Sequence, residues 1–162
     1  MSNKKKRNNI MVIAVSICLV IVLLLIGVLA LTDPIMGMVK FNEVKDGAEN
    51  CSEIVVSDPL REEAFLRGVE AVVTGEQARE LADGFAIAVQ GASYKKAIDA
   101  SKGFWDIRLD FSTAAQRYSV YLKEDAFYVA KNKGYLFEID TDRQDAYAEF
   151  FASVEKILDT VE

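Results

Sequence analysis

One stretch decides the fold: GFWDIRLDFSTAAQRYSVYLKEDAFYVAKNKGYLFEID, from Gly103 to Asp140. Apolar and polar residues alternate along it, which is typical of strands that bury one face and turn the other to solvent. The first alternating run has its apolar side chains at Trp105, Ile107, Leu109 and Phe111. The pattern predicts a series of short antiparallel strands that share one apolar face.

Turn lengths set how these strands pair. A two-residue turn at Glu124-Asp125 places Leu122 opposite Phe127, so that both apolar side chains lie on the same face. Closing the preceding connection in the same way places Phe111 opposite Tyr118 and Leu109 opposite Val120. These pairings predict that the first three strands of the stretch are neighbours in one sheet.

The last connection of the stretch admits two loop lengths. A two-residue loop would set Phe127 against Glu138, whereas a three-residue loop from Asn132 to Gly134 sets Phe127 against Ile139. We expect the longer loop, with Gly134 at a position of positive φ. The stretch then forms a four-stranded antiparallel meander.

Further elements flank the meander. β-Branched residues predict a strand at Glu53–Ser57 and a second short strand at Val69–Val73. Thr74 to Gln77 has the spacing of a capping box, and apolar residues at helical spacing then continue to a stop at Gly91. Asp140 and Asp142 open a final helix, because the helix dipole favours acids in the first turn.

The N-terminal part carries an apolar segment from Ile10 to Leu31 that contains no charged residue. A helix needs about 20 apolar residues to cross a bilayer core of roughly 30 Å, so this segment predicts a transmembrane helix. Positive charge collects just before it, and by the positive-inside rule the N-terminus stays in the cytoplasm while the rest is exported. The residues that carry this topology signal are Lys4, Lys5, Lys6 and Arg7.

The predicted organisation has four parts: a cytoplasmic basic tail at 1–9, the transmembrane helix at 10–31, a juxtamembrane connector at 32–49, and an extracytoplasmic domain at 50–162. Pro34 is expected to end the helix, because proline cannot continue the helical hydrogen bonding. A cleaved signal that releases a secreted protein is the alternative, although its apolar core would be about 7–15 residues. The fold class is α+β, an antiparallel β-meander sheet with two helices packed on one face.

Composition limits the chemistry of the exported domain. The chain carries a net charge of −6 and has no histidine, so the commonest metal ligand and general base are missing. A surface this acidic argues against nucleic acid as a partner. Cys51, the one cysteine beyond the apolar segment, is expected to be a small buried residue. We predict no cofactor, no metal site and no enzyme activity.

Two sets of acidic residues could be taken for a metal site or a catalytic pair. Asp140, Asp142 and Asp145 resemble a calcium loop, but the EF-hand pattern requires a glycine at the position of Asp145, so helix capping is the better interpretation. Asp106 and Asp110 are four residues apart on a strand, about 13 Å between their α-carbons, which is wide for a catalytic carboxylate pair.

The polar face of the meander carries the candidate interaction face. The predicted register sets Arg108 opposite Tyr121 and Tyr121 opposite Tyr128, which suggests either simple cross-strand stabilisation or a patch for docking another protein. The complete set is Phe104, Arg108, Tyr121, Tyr128 and Leu136.

We therefore expect a single-pass membrane-anchored protein whose small exported domain is a non-catalytic protein-interaction or sensor-like module. Its partners would be the lipid bilayer, through residues 10–31, and another membrane or envelope protein. The alternatives are a domain that binds a small ligand or peptide and, less favoured, a carboxylate-based hydrolase.

Overall fold

A computed structural model describes residues 2–58, 70–98, 105–130 and 134–160. For residues 2–12 and 14 it describes the backbone alone. Phe104 and the loop residues Asn132 and Lys133 therefore lie outside the described part, as do the side chains of the N-terminal basic run.

The first element is a single long helix, α1, that runs from Ser2 to Glu49 and contains Pro34. The prediction that the helix ends at Pro34 was wrong. Beyond the proline, Phe41, Val44 and Ala48 lie on one side of the helix and are buried in the core. Packing of this stripe stabilises the second half of α1 strongly enough to offset the hydrogen bond that the proline cannot donate.

Within the described ranges, seven strands form one antiparallel sheet in the order β2-β1-β4-β5-β6-β7-β3. Their bounds are β1 Glu53–Ser57, β2 Glu70–Thr74, β3 Ser93–Ile98, β4 Ile107–Ser112, β5 Arg117–Lys123, β6 Ala126–Ala130 and β7 Gly134–Glu138. The strands predicted from the alternating stretch are β4 to β7, and they are consecutive neighbours. The predicted meander is therefore confirmed.

Most of the predicted pairings are also confirmed. Phe111 pairs with Tyr118 and Leu109 with Val120 between β4 and β5. Leu122 pairs with Phe127 between β5 and β6. Tight connections between strands of clear alternation leave little freedom of register.

The pairing of β6 with β7 differs from the prediction by two residues. Phe127 pairs with Phe137, not with Ile139, and Ala130 pairs with Gly134. Residues 131–133 connect this last pair. Gly134 is therefore not the last residue of the loop, as predicted, but the first residue of β7. A slip of two residues leaves every side chain on its predicted face, and the apolar pattern could not exclude it.

Gly134 does not have the expected positive φ, which occurs at Gly75 and Gly91. Its role is steric. A Cβ at Gly134 would lie 3.0 Å from Cγ1 of Ile98 and 3.1 Å from Cδ2 of Tyr128. A larger residue would therefore push against the ring of Tyr128.

Strand β3 was not predicted. It lies at the sheet edge, pairs with β7, and shows a register shift between Tyr94 and Lys96. Its sequence, SYKKAI, has only partial burial and no clean alternation. Lysines and irregular pairing are ways in which natural proteins protect an edge strand, and they also weaken its sequence signal.

Two helices follow β2 and β7: α2, Gly75–Ala88, and α3, Gln144–Asp159. Thr74 is the N-cap residue of α2, as predicted, but its side chain makes no capping hydrogen bond. The entry to α3 is a 3₁₀ turn, Thr141–Arg143, where the Asp140 carboxylate accepts a hydrogen bond from the Asp142 N–H at 3.2 Å. The predicted starts of both helices are therefore correct, whereas the capping-box hydrogen bond is absent.

The second half of α1 joins α2 and α3 on one face of the sheet, and all three contribute to one hydrophobic core. Aromatic rings connect the layers. Phe85 of α2 lies 5.3 Å from Phe111 and 5.9 Å from Phe150 of α3, and Phe41 of α1 lies 4.8 Å from Phe137. The α+β fold class is confirmed, with part of the anchoring helix as an additional layer on the sheet.

Candidate functional site

The face of the sheet opposite the helices carries the row of residues singled out from the sequence. Arg108 pairs with Tyr121, Tyr121 with Tyr128, and Tyr128 with Leu136 across β4, β5, β6 and β7. The structure therefore brings together four of the five predicted residues, and the fifth, Phe104, is outside the described residues.

Stacking orders this row. The rings of Tyr121 and Tyr128 lie 4.5 Å apart with an angle of 10° between their planes, and the Arg108 guanidinium lies 5.7 Å from the Tyr121 ring centre. Tyr128 is only 1% exposed. Burial, with a smaller effect from the neighbouring Tyr121, raises the pKa of the Tyr128 hydroxyl above its ordinary value. Tyr128 is thus buried within this face, while Tyr121 and Leu136 are half-buried.

Trp105 covers Tyr128. The alternation predicted that Trp105 would lie with Ile107 on the helix-covered face, but its ring centre is 4.1 Å from that of Tyr128 on the other face. The β4 ladder begins only at Ile107, and Asp106 forms a bend before it. Two-residue periodicity therefore does not extend back to the tryptophan, and sequence reasoning missed this contact.

Asp110, one member of the Asp106 and Asp110 pair, is held in an ion pair. It is 4% exposed, and its Oδ2 lies 2.8 Å from Nη2 of Arg108 while the Ser119 hydroxyl donates a hydrogen bond to its Oδ1. Both carboxylate oxygens are engaged. The arrangement ties β4 to β5 and gives this carboxylate a structural role.

The described residues include no cluster of three or more potential metal ligands. Asp140 caps the turn before α3, as its position predicts. Cys51 is a free, buried thiol, and burial raises its pKa. The interpretation of Cys51 as a buried residue is therefore confirmed.

A groove of about 750 Å³ lies between α2, α3 and the outer strand β2. Its lining includes Leu81 and Ile87 of α2, Phe150 and Ile157 of α3, and residues 71–73 of β2. Sequence reasoning did not find this groove. The signal that could have found it was Ile87, an apolar residue that falls outside the helical stripe of α2 and is exposed.

The N-terminal helix is long and apolar enough to cross a membrane. Its side chains from Val15 to Leu31 are exposed and make no part of the core. Length and apolar composition are also properties of signal sequences near an N-terminus.

No protein-family model matches the chain, and searches of curated proteins and solved structures found no match.

Proposed function

We propose that the chain is a single-pass membrane protein with a cytoplasmic N-terminus and an exported, non-catalytic interaction module that is held rigidly at the membrane surface. The single observation that carries this proposal is the continuity of α1. The same helix supplies an exposed apolar segment of membrane-spanning length and three residues of the domain core.

The distance between these two regions is short. Leu31, the last residue of the apolar segment, is exposed, and Phe41 is buried. Ten residues of helix rise about 15 Å, so the core begins close to the bilayer surface with no flexible stalk between them. A domain mounted in this way suits contact with other proteins of the same membrane, or the transmission of a helix movement from the membrane to the sheet.

Close packing fixes α1 to the sheet. A Cβ at Gly37 would lie 2.7 Å from the Tyr94 ring, and a Cβ at Gly47 would lie 2.5 Å from the Tyr118 ring. Glycine therefore lets the helix backbone approach the sheet at two points, ten residues or about 15 Å apart. Such a contact supports movement of the helix and the domain as one unit.

Orientation can be tested with two cysteine variants of the full chain in cells. We expect a membrane-impermeant maleimide to label Glu155→Cys, at an exposed position of α3, in intact cells. Asn3→Cys, in the basic tail, should require permeabilisation. Of the two native cysteines, Cys51 is buried and Cys18 lies within the proposed membrane-spanning segment, so both should give little background. Labelling of Asn3→Cys alone in intact cells would show the opposite topology. Release of the labelled domain into the medium would favour a cleaved signal sequence.

The interaction role requires a partner in the native membrane. A photo-crosslinking residue at Asn42, on an exposed position of the packed half of α1, should capture a discrete membrane or envelope protein. A second position is Ser93, exposed at the start of β3, the sheet edge beside α1. The absence of any discrete crosslinked product from several exposed positions would contradict an interaction module.

A further inference from the structure

We infer that the groove between α2, α3 and β2 binds an extended segment of a partner protein that carries alternating apolar residues and at least one basic residue. This inference names a binding surface for the proposed interaction module, so it rests on that function.

Apolar side chains line this groove. Beyond α1, the described part of the chain leaves only two large apolar side chains mostly exposed, Val72 at 59% and Ile87 at 55%. Ile87 lines the groove together with Phe150 and Ile157, whereas the Val72 side chain lies on the opposite face of β2 from the buried Ala71 and Val73. Apolar surface gathered in one concave place, on a domain that otherwise buries it, is typical of a binding site.

The edge of β2 indicates that the occupant is extended. Ala71, Val72 and Val73 all border the groove, although consecutive side chains of a strand point to opposite faces. Three consecutive residues can border the same groove only if the main-chain edge of the strand does so. β2 is the outermost of the strands that the structure describes, so alternate N–H and C=O groups point away from β1 and can pair with an added strand.

The charges along the groove indicate which residues flank the apolar positions of the partner segment. Glu80 of α2 and Glu149 of α3 border the groove on its two helices, and the one basic side chain along the described lining is Lys156. The whole chain is acidic as well. A lysine or arginine beside the apolar residues of the partner would complement the two carboxylates and favour encounter with the acidic domain.

The groove is also accessible while α1 is in the membrane. The packed half of α1 begins at β3, where Gly37 lies against Tyr94, and then crosses the sheet to α2 and to Tyr118 of β5, so its apolar half continues outward from the β3 edge. β2 is the other edge of the sheet in the described part of the chain. Six strand spacings of about 4.8 Å separate the two edges by roughly 29 Å. A partner segment can therefore reach β2 without competing with the anchor.

The test is a titration of the full chain in lipid nanodiscs with three synthetic peptides. KVTVTVK carries the expected alternation and charge, EVTVTVE reverses the charge, and KVPVPVK keeps the charge but cannot form a strand ladder. We expect KVTVTVK to bind at least about fivefold more tightly than either control, and its binding to slow hydrogen exchange in β2. Equal affinity for all three peptides, or protection confined to β3, would overturn the inference.

Matched variants locate the charges. Glu80→Lys and Glu149→Lys should each weaken KVTVTVK binding by about two- to fivefold, as expected for partly exposed ion pairs. Glu155→Lys is the control, since it makes the same change at an exposed position of α3 away from the groove. An equal loss in all three variants would show non-specific attraction and overturn the site.

The two proposals fail in different ways. Peptide binding at β2 without any crosslinked partner in native membranes would keep the groove as a peptide site and remove the membrane-interaction role. Crosslinked partners with no binding of KVTVTVK would keep the interaction role and remove the groove.

Discussion

The two halves of α1 are the same helix in two different environments. From Val15 to Leu31 the helix is apolar on all sides and exposed, with Leu29 72% accessible. From Ile35 to Glu49 the buried residues form one stripe, in which Phe41 is 5% exposed. A helix that is apolar all round suits lipid, whereas a stripe suits a core on one side and water on the other.

Glycines show the same contrast. A Cβ added at Gly27 in the first half would meet no atom within 4 Å, whereas Gly37 and Gly47 in the second half lie directly under tyrosine rings. Pro34 stands between the halves, at the end of the apolar segment. The residues of the first half thus suit a lipid environment, and those of the second half suit close contact with the sheet. Substitutions in the two halves should therefore affect membrane insertion and domain stability separately.

The largest expected effect concerns the core. Phe41→Ala removes a ring that packs 4.8 Å from Phe137 and 5.5 Å from Phe127, and should lower the free energy of unfolding by about 3–5 kcal/mol. The control, Leu29→Ala, should change it by less than about 0.5 kcal/mol, because unfolding of the sheet does not change the environment of Leu29. Urea titration of the full chain in micelles, followed by Trp105 fluorescence, measures both. Similar losses in the two variants would contradict the division of α1.

A charge tests the lipid half. Ile21→Arg places a guanidinium near the centre of the apolar segment, where insertion costs about 2.5–3.5 kcal/mol. We expect a large fall in the fraction that resists alkaline extraction from membranes. Asn42→Arg makes the same addition on an exposed side of the packed half and should leave that fraction unchanged. If Ile21→Arg stayed fully membrane-bound, the apolar segment would not be the anchor.

A smaller substitution, glycine to alanine, should have different effects in the two halves. Gly47→Ala forces Tyr118 to move and should destabilise the domain by about 1–3 kcal/mol, reduced by up to about 1 kcal/mol because alanine favours helix. Gly27→Ala meets no neighbour and should be neutral or slightly stabilising. The double variant Gly47→Ala/Tyr118→Ala, compared with both single variants by urea titration, isolates the contact. Additive losses would show that Tyr118 is not what requires the glycine.

The sequence predicts best where one local rule acts alone. The β4–β5 and β5–β6 registers follow from alternation and short turns, as in the pairing of Val120 with Val129. The apolar segment follows from composition. The row of Arg108, Tyr121 and Tyr128 follows from those registers, so its assembly was predictable, whereas the covering of Tyr128 by Trp105 depends on a bend that no periodicity encodes.

Where two rules compete, the sequence does not decide. Pro34 predicts a helix end, but the packing of Phe41 and Val44 on the sheet overrides it. The β6–β7 register could slip by two residues without moving a side chain to the wrong face. The groove depends on how α2 and α3 meet, with a Cβ at Gly84 only 3.3 Å from Phe150, and this geometry is a property of the tertiary structure.

The smallest expected effect is a dependence on alkaline pH that belongs to the folded domain and not to the apolar half of α1, because the segment from Ile13 to Leu31 has no charged or tyrosine side chain. Tyr147 is 1% exposed, its hydroxyl lies 2.9 Å from the carbonyl oxygen of Lys123 and 2.8 Å from that of Ala126, and burial raises its pKa. An unfolded tyrosine ionises near pH 10, whereas the folded one keeps its proton. The stabilising contribution is therefore complete below pH 10 and is lost as the pH rises, by at most about 1.4 kcal/mol per pH unit for this group.

Tyr147→Phe should lower the free energy of unfolding by about 1 kcal/mol at pH 7, through the lost hydrogen bond, and should flatten its decline between pH 10 and 11. Urea titrations of the full chain at pH 8, 10 and 11 give both quantities, and alkaline extraction at the same pH values should leave the protein in the membrane. An unchanged slope in Tyr147→Phe would assign the alkaline sensitivity to other groups, with Tyr128 on the opposite face as the next to test, since its pKa is raised in the same direction.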